Sequence, residues 1–180
     1  KGRIDDAILA YRRAIQTRPD YMAARLNLGN ALAKLGRADE AIEECRRALQ
    51  LAPNFATAHY NLGHALMLKG QFVEAIAAYR RAVELQPGFA QAHNNLGLAL
   101  KGKGHLDEAI TAYRQALTIQ PDLATIHSNL GSALQAKGQL DEAIASCRLA
   151  ITLQPDLSEA HNNLGDALWG KGRWDEAIAA

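Results

Sequence analysis

The sequence repeats itself every 34 residues. Gly29, Gly63, Gly97, Gly131 and Gly165 each follow Asn-Leu. Gly2, Gly36, Gly70, Gly104, Gly138 and Gly172 form a second series at the same spacing. Pro19, Pro53, Pro87, Pro121 and Pro155 form a third. A fixed period of this length demands stacked supersecondary units, each burying its apolar face on the next, rather than a globule around one closed core. Function in such an array is sought in columns of equivalent residues along a surface.

One repeat, residues 22–55, shows the local logic. Ala24, Leu28, Ala31, Leu32 and Leu35 recur on one helical face, which predicts a first helix. Gly36 ends it as a left-handed residue after a helix does. Ala41, Ile42, Cys45, Ala48 and Leu49 repeat the pattern on a second helix. Asp39 and Glu40 suit its N-terminus, and Arg46 and Arg47 its C-terminal half. Pro53 blocks continuation. Asn54 is then placed to cap the next first helix, and Asp20, Asp122 and Asp156 to do the same elsewhere. Gly29 and its equivalents lie inside first helices at a cost of about 1 kcal/mol each relative to alanine. That cost implies close approach of a neighbour, with Ala41, Ala75, Ala109, Ala143 and Ala177 as the expected facing residues. Ala48, Ala82, Ala116 and Ala150 let the next repeat dock equally closely.

The array divides into a lone second helix in 1–21, four complete repeats at 22–55, 56–89, 90–123 and 124–157, and a partial repeat at 158–180. The chain starts at Lys1 and stops at Ala180 inside a helical pattern, so it reads as a segment of a longer array.

The formal net charge is +1. That leaves no basic field of the kind nucleic-acid binding needs. No secretory segment or membrane-spanning run is present, so a cytoplasmic setting without membrane partners is expected. Cys45 and Cys147 occupy the same repeat position three repeats apart. Helices packed roughly 8–10 Å apart put them too far apart for a bridge. Both are expected to be buried small residues standing where Tyr11, Tyr79 and Tyr113 stand elsewhere.

Asn-Leu-Gly, the glycine before the second helix, Glu-Ala-Ile, the aromatic, Ala-Leu and the closing proline, at 34 residues, together resemble the tetratricopeptide repeat. The resemblance covers essentially the whole chain. It implies an all-α fold, a right-handed α-solenoid of antiparallel helix pairs, with a concave wall lined mainly by first helices. The sequence departs from the family pattern where a large first-helix aromatic is replaced by Arg25, His59, His93, His127 and His161. It departs again where a common tyrosine is replaced by Leu32, Leu66, Leu100, Leu134 and Leu168.

The most regular polar column is Asn27, Asn61, Asn95, Asn129 and Asn163. The resemblance implies that it faces the concave groove. An amide donates and accepts, so it can pair with both halves of a peptide unit. A ladder of amides then holds an extended backbone whatever its sequence. The tetratricopeptide region of the O-linked N-acetylglucosamine transferase is similar in carrying such a ladder. The competing reading is that these asparagines meet only water. Flanking positions vary: Thr57, Gln91, Thr125 and Glu159 precede the ladder, Asn30, His64, Leu98, Ser132 and Asp166 follow it, and Tyr60, Asn94, Ser128 and Asn162 lie beside it. A constant ladder with variable flanks suits backbone holding plus side-chain selection. The lysines that the family's carboxylate clamp uses are missing from these flanks, which argues against acidic chaperone tails.

Other columns lead elsewhere. The histidines lie a full repeat apart and cannot converge on one ion at about 2 Å, so they read as packing residues and no metal is expected. Gly97–Lys103 and Gly165–Lys171 mimic a phosphate loop, but each falls on a helix and is followed by glycine, so no nucleotide or other cofactor is expected. No nucleophile–base or paired-carboxylate arrangement emerges, so the chain is not expected to be an enzyme. Arg12, Arg46, Arg80, Arg114 and Arg148 read as a solvated face. Trp174 is expected to pack on whatever follows it, and Trp169 to face the groove.

The sequence therefore points to a non-catalytic module that binds protein or peptide. The candidate contacts are the five ladder asparagines with Asn30, Thr57, His64, Gln91 and Thr125. Two rival readings are a recognition arm of a larger enzyme, such as a glycosyltransferase, and a scaffold that self-associates through uncapped ends.

Overall fold

In the computed structural model, which describes residues 2–179, the chain is all-α. It forms sequential antiparallel helix pairs in a tetratricopeptide-type solenoid. Two compact units divide it, at 1–88 and 89–180. The first holds α1 (Gly2–Thr17), α2 (Met22–Lys34), α3 (Ala38–Leu51), α4 (Ala56–Leu68) and α5 (Phe72–Leu85). The second holds α6 (Ala90–Gly102), α7 (Leu106–Ile119), α8 (Ala124–Ala136), α9 (Leu140–Leu153), α10 (Ser158–Gly170) and α11 (Trp174–Ala179). Among the described residues no helix is long and apolar enough to cross a membrane.

The turn inside each pair is built by one glycine. Gly36 has φ of 74°, a region that costs other residues a Cβ clash. Its amide donates to the Ala33 carbonyl at 2.9 Å and the next amide, of Arg37, to the Leu32 carbonyl at 3.0 Å. These two hydrogen bonds satisfy two orphan carbonyls and close the helix end.

Helix starts depart from expectation. The N-cap residues of α2, α4, α6, α8 and α10 are Tyr21, Phe55, Phe89, Leu123 and Leu157, and none makes a side-chain cap bond. Asp20, Asn54, Asp122 and Asp156 fall one residue too early to cap. Asn54 Oδ1 instead accepts a bond from Arg81 Nη2 at 2.8 Å. The histidine column does the fastening. Nε2–H of His59, His127 and His161 donates to the carbonyls of Pro53, Pro121 and Pro155 at 2.8, 2.7 and 2.8 Å. Arg25 plays this part for α2, donating to the Pro19 carbonyl and reaching Glu44 at 2.8 Å. Each of these first helices is thus tied to the loop before it.

Gly29, Gly63, Gly97 and Gly131 are faced by larger groups than alanine, whereas Gly165 meets only the expected Ala177, through its carbonyl oxygen. A Cβ at Gly63 would lie 2.8 Å from the Tyr79 ring, and one at Gly97 2.6 Å from the Tyr113 ring. At Gly29 the nearest atom would be Cys45 Sγ, 3.2 Å away, and at Gly131 it is Cys147 Sγ. The glycine therefore accommodates the tyrosine or cysteine of the second helix, while Ala41 and Ala143 contribute only backbone carbonyls there. Both cysteines are free and buried. Docking between repeats does run through alanine: Leu26, Ala48 and Ala58 form one buried cluster, and Ala124, Ala150, Leu157 and Ala160 another.

The arginine column is not simply solvated. Arg12 reaches Glu40 at 2.9 Å, Arg114 reaches Glu142 at 2.8 Å, and Arg148 reaches Glu176 at 2.9 Å. Each pair links one second helix to the next. Lys69–Asp39, Lys137–Asp107 and Lys171–Asp141 pair in the opposite sense. No basic residue falls in the last turn of α3, α5, α7 or α9, so support of the helix dipole there is absent. Arg47 pairs with Glu43 and Glu44 instead. Exposed pairs of this kind are worth about 0.2–1 kcal/mol each.

Trp174 does not stand alone. Its ring meets that of Trp169 edge-on, with centroids 4.5 Å apart.

Candidate functional site

The asparagine column divides into two kinds. Asn27 on α2 is exposed and Asn61 on α4 half-buried, and neither amide makes a hydrogen bond to the described residues. Asn129 and Asn163 do. Asn129 Nδ2 donates to Asn94 Oδ1 at 3.0 Å, from α8 to α6. Asn163 Nδ2 donates to the Ser128 hydroxyl at 2.9 Å and to its carbonyl at 3.2 Å, from α10 to α8. Both bonds run back 35 residues, onto the residue just before the previous ladder asparagine. The difference has a local cause. That position holds Asn94 and Ser128 in the second unit, which offer acceptors, but Leu26 in the first, which offers no side-chain acceptor to Asn61. Asn95 accepts from Asn94 Nδ2 at 3.2 Å, which joins α6 and α8 in one amide network.

An amide has two N–H donors and one carbonyl. Asn163 spends its donors on Ser128 and keeps its carbonyl. Asn129 keeps its carbonyl and one N–H. The water-only reading is thus corrected in the second unit, where these asparagines tie adjacent first helices together.

These side chains line a depression of ≈ 440 Å³ with Lys101, Ser132, Ser158, Glu159 and Asn162. Lys101 comes from α6, Asn129 and Ser132 from α8, and the rest from α10. Lys101 Nζ donates to Ser132 Oγ at 2.6 Å. Burial lowers its pKa from the usual lysine value. The sequence reading missed Lys101 because it sits near the helix end, where Ala33, Met67, Gln135 and Trp169 occupy the same repeat position. No column marks it.

The remaining sequence-derived candidates lie apart from this depression. Asn30 is exposed on α2, Thr57 and His64 are half-buried on α4, Gln91 is exposed at the start of α6, and Thr125 is exposed at the start of α8. Burial lowers the His64 pKa. A second depression, of ≈ 390 Å³, opens between α1, α2 and α3 over Ile15, Leu28 and Leu32. Its charges answer one another, Arg12 with Glu40 and Arg47 with Glu44. It offers a ligand less unmatched charge than the amide-lined site.

A third depression, of ≈ 440 Å³, is lined by His161, Asn162, Gly165, Asp166, Trp169, Ala177 and Ile178. Trp169 is 61% exposed and Ile178 83%. Trp169 therefore joins Trp174 and Ile178 in an apolar patch. Among the described residues no three His, Cys, Asp or Glu side chains converge as metal ligands.

Profiles described as tetratricopeptide repeat match residues 1–56, 44–77 and 122–180, and one described as TPR repeat matches 63–104 and 99–138. The crystal structure of MamA is 31% identical over 88% of this chain and 93% of that one, with a TM-score of 0.79. The chain belongs to the tetratricopeptide-repeat family. Among other tetratricopeptide structures, TTC0263 of Thermus thermophilus is 25% identical over 99% of this chain and 92% of its own, with a TM-score of 0.73. YrrB, described as having an unusual peptide-binding site, is 22% identical over 94% of this chain and 88% of its own, at 0.78. Comparison with curated proteins returns no match. Tetratricopeptide modules generally bind proteins.

Proposed function

We propose that this chain is a non-catalytic peptide-binding module that holds extended segments against its first helices through the asparagine column. The observation that carries the reading is that Asn129 and Asn163 line one polar depression with their side-chain carbonyls uncommitted. An uncommitted carbonyl accepts a peptide N–H, and an extended chain presents such groups at regular intervals. Asn27 and Asn61 keep both amide halves free for the same task. Thr57, His64, Gln91, Thr125 and Asn30 then select among side chains. YrrB, with its peptide-binding site, is a fold-level parallel. The likeness to the transferase region rests on the asparagine column alone, and a role as recognition arm of a larger enzyme would use the same groups.

The test is an array of overlapping unstructured decapeptides probed with the labelled chain. A subset should bind reproducibly and compete with one another in solution. No binding to any peptide overturns the reading.

A second reading, self-association, is favoured by the exposed Trp169, Trp174 and Ile178. It predicts a scattering mass that rises with concentration and falls when Trp169 and Ile178 are replaced by Ser. A constant monomer mass excludes it.

A further inference from the structure

The depression on α6, α8 and α10 holds two unmatched charges of opposite sign. Lys101 is a half-buried ammonium whose partner is the Ser132 hydroxyl at 2.6 Å. Among the described residues it has no carboxylate partner. This sets it apart from Lys69, Lys137 and Lys171, which all reach an aspartate. Glu159 lines the same depression from α10 and has no cationic partner among the described residues. The first turns of α2, α4, α6 and α8 carry no acid, so Glu159 is not part of the repeat pattern. The rest of the lining is amides and hydroxyls: Asn129, Ser132, Ser158, Asn162 and Asn163.

A half-buried ammonium without a counter-ion is costly, and the cost is recovered when a ligand supplies the counter-ion. Glu159 is exposed and offers a carboxylate free to pair with a ligand cation. The neutral groups of the lining offer donors and acceptors to a backbone but no sign preference. We infer that this depression takes a peptide carrying an acidic and a basic side chain in a fixed order, its carboxylate on Lys101 and its cation on Glu159. The two charges then set the direction in which the peptide lies, which a ladder of amides alone does not do. The inference rests on the peptide-binding reading above and deepens it by naming the ligand's charge pattern.

The experiment measures fluorescence anisotropy of labelled Ala-Ser decapeptides against the full chain. The peptides carry one Glu, one Arg, both in either order at several spacings, or neither. Peptides with both charges in one order should bind about tenfold or more tighter than the neutral peptide, and the reversed order should lose most of that gain. Lys101→Gln should erase the preference for Glu and keep that for Arg, while Glu159→Gln should do the opposite. Ser132→Ala, which retains the lysine, should keep the Glu preference. Circular dichroism checks that each variant is folded. Equal binding of neutral and charged peptides, or a Glu preference that survives Lys101→Gln, overturns the inference. If the overlapping array yields binders while charge has no effect, the charge assignment falls and the peptide-binding reading stands. If neither set binds, both fall.

Discussion

Asn163 donates through its amide nitrogen to both oxygens of Ser128, the hydroxyl at 2.9 Å and the carbonyl at 3.2 Å. One side chain of α10 thereby holds α8, so part of the ladder carries stability as well as any ligand. Asn163→Ala should lower unfolding stability by about 1 kcal/mol, the usual net worth of such a bond. Asn27→Ala, at an exposed amide with no described partner, should change it by less than about 0.5 kcal/mol. Urea unfolding of the two variants separates them, and equal effects would contradict the division of the column.

The helical glycines should respond in opposite directions to alanine. At Gly97 the new methyl would lie 2.6 Å from a buried tyrosine ring. Gly97→Ala should destabilise by about 1–3 kcal/mol through overpacking. At Gly165 the nearest atom is the Ala177 carbonyl oxygen at 3.7 Å. There Gly165→Ala should stabilise by up to about 1 kcal/mol, the helix-propensity gain. Thermal melts give the sign directly.

Tyr113 carries a buried hydroxyl with no hydrogen-bond partner among the described residues. A buried polar group left unmatched costs about 1–3 kcal/mol. Tyr113→Phe, which keeps the ring against Gly97, should raise the melting temperature or leave it unchanged. A clear fall would mean that the hydroxyl has a partner in solution.

Burial pushes the Cys45 thiol up to about 12 and the Cys147 thiol up to about 11. Both values lie above that of an unfolded thiol, so between the unfolded and folded values the native state holds more protons. Stability then falls as pH rises. The loss should begin near the ordinary thiol value of about 8.5. It should run to about 11 for Cys147 and about 12 for Cys45. A double variant, Cys45→Ala with Cys147→Ala, should lose melting temperature less steeply across that window than the parent. The native thiols should also resist a disulfide reagent at neutral pH until urea unfolds the chain. Parallel pH profiles and immediate labelling would contradict this.

The fold is legible because each repeat states the same instructions several times. Apolar spacing marks the helices, and glycine at Gly36 and its equivalents marks the turns. The helix starts mislead because Asn54 and the aspartates have capping chemistry but sit one residue early. The histidine-to-proline bonds, six residues long in sequence, hold that end instead. The glycine partners mislead at Gly29, Gly63, Gly97 and Gly131 because a matching size, alanine for glycine, looks natural, whereas glycine there makes room for a ring or a thiol. In the candidate site the ladder is visible as a column. Its hydrogen bonds are not, since they depend on whether the preceding neighbour is Ser128, Asn94 or Leu26. Lys101 escapes because its importance comes from helices roughly one and two repeats further along the chain, and not from its own neighbours.

The proposed function stands or falls on whether the asparagine column grips a peptide. The most direct measurement is the affinity of an array-selected peptide for the parent chain and for the triple variant Asn61→Ala, Asn95→Ala and Asn129→Ala, at a temperature where circular dichroism shows both folded. The triple variant should bind about tenfold or more weakly with helical content unchanged. Equal affinity for the two proteins would contradict the peptide grip.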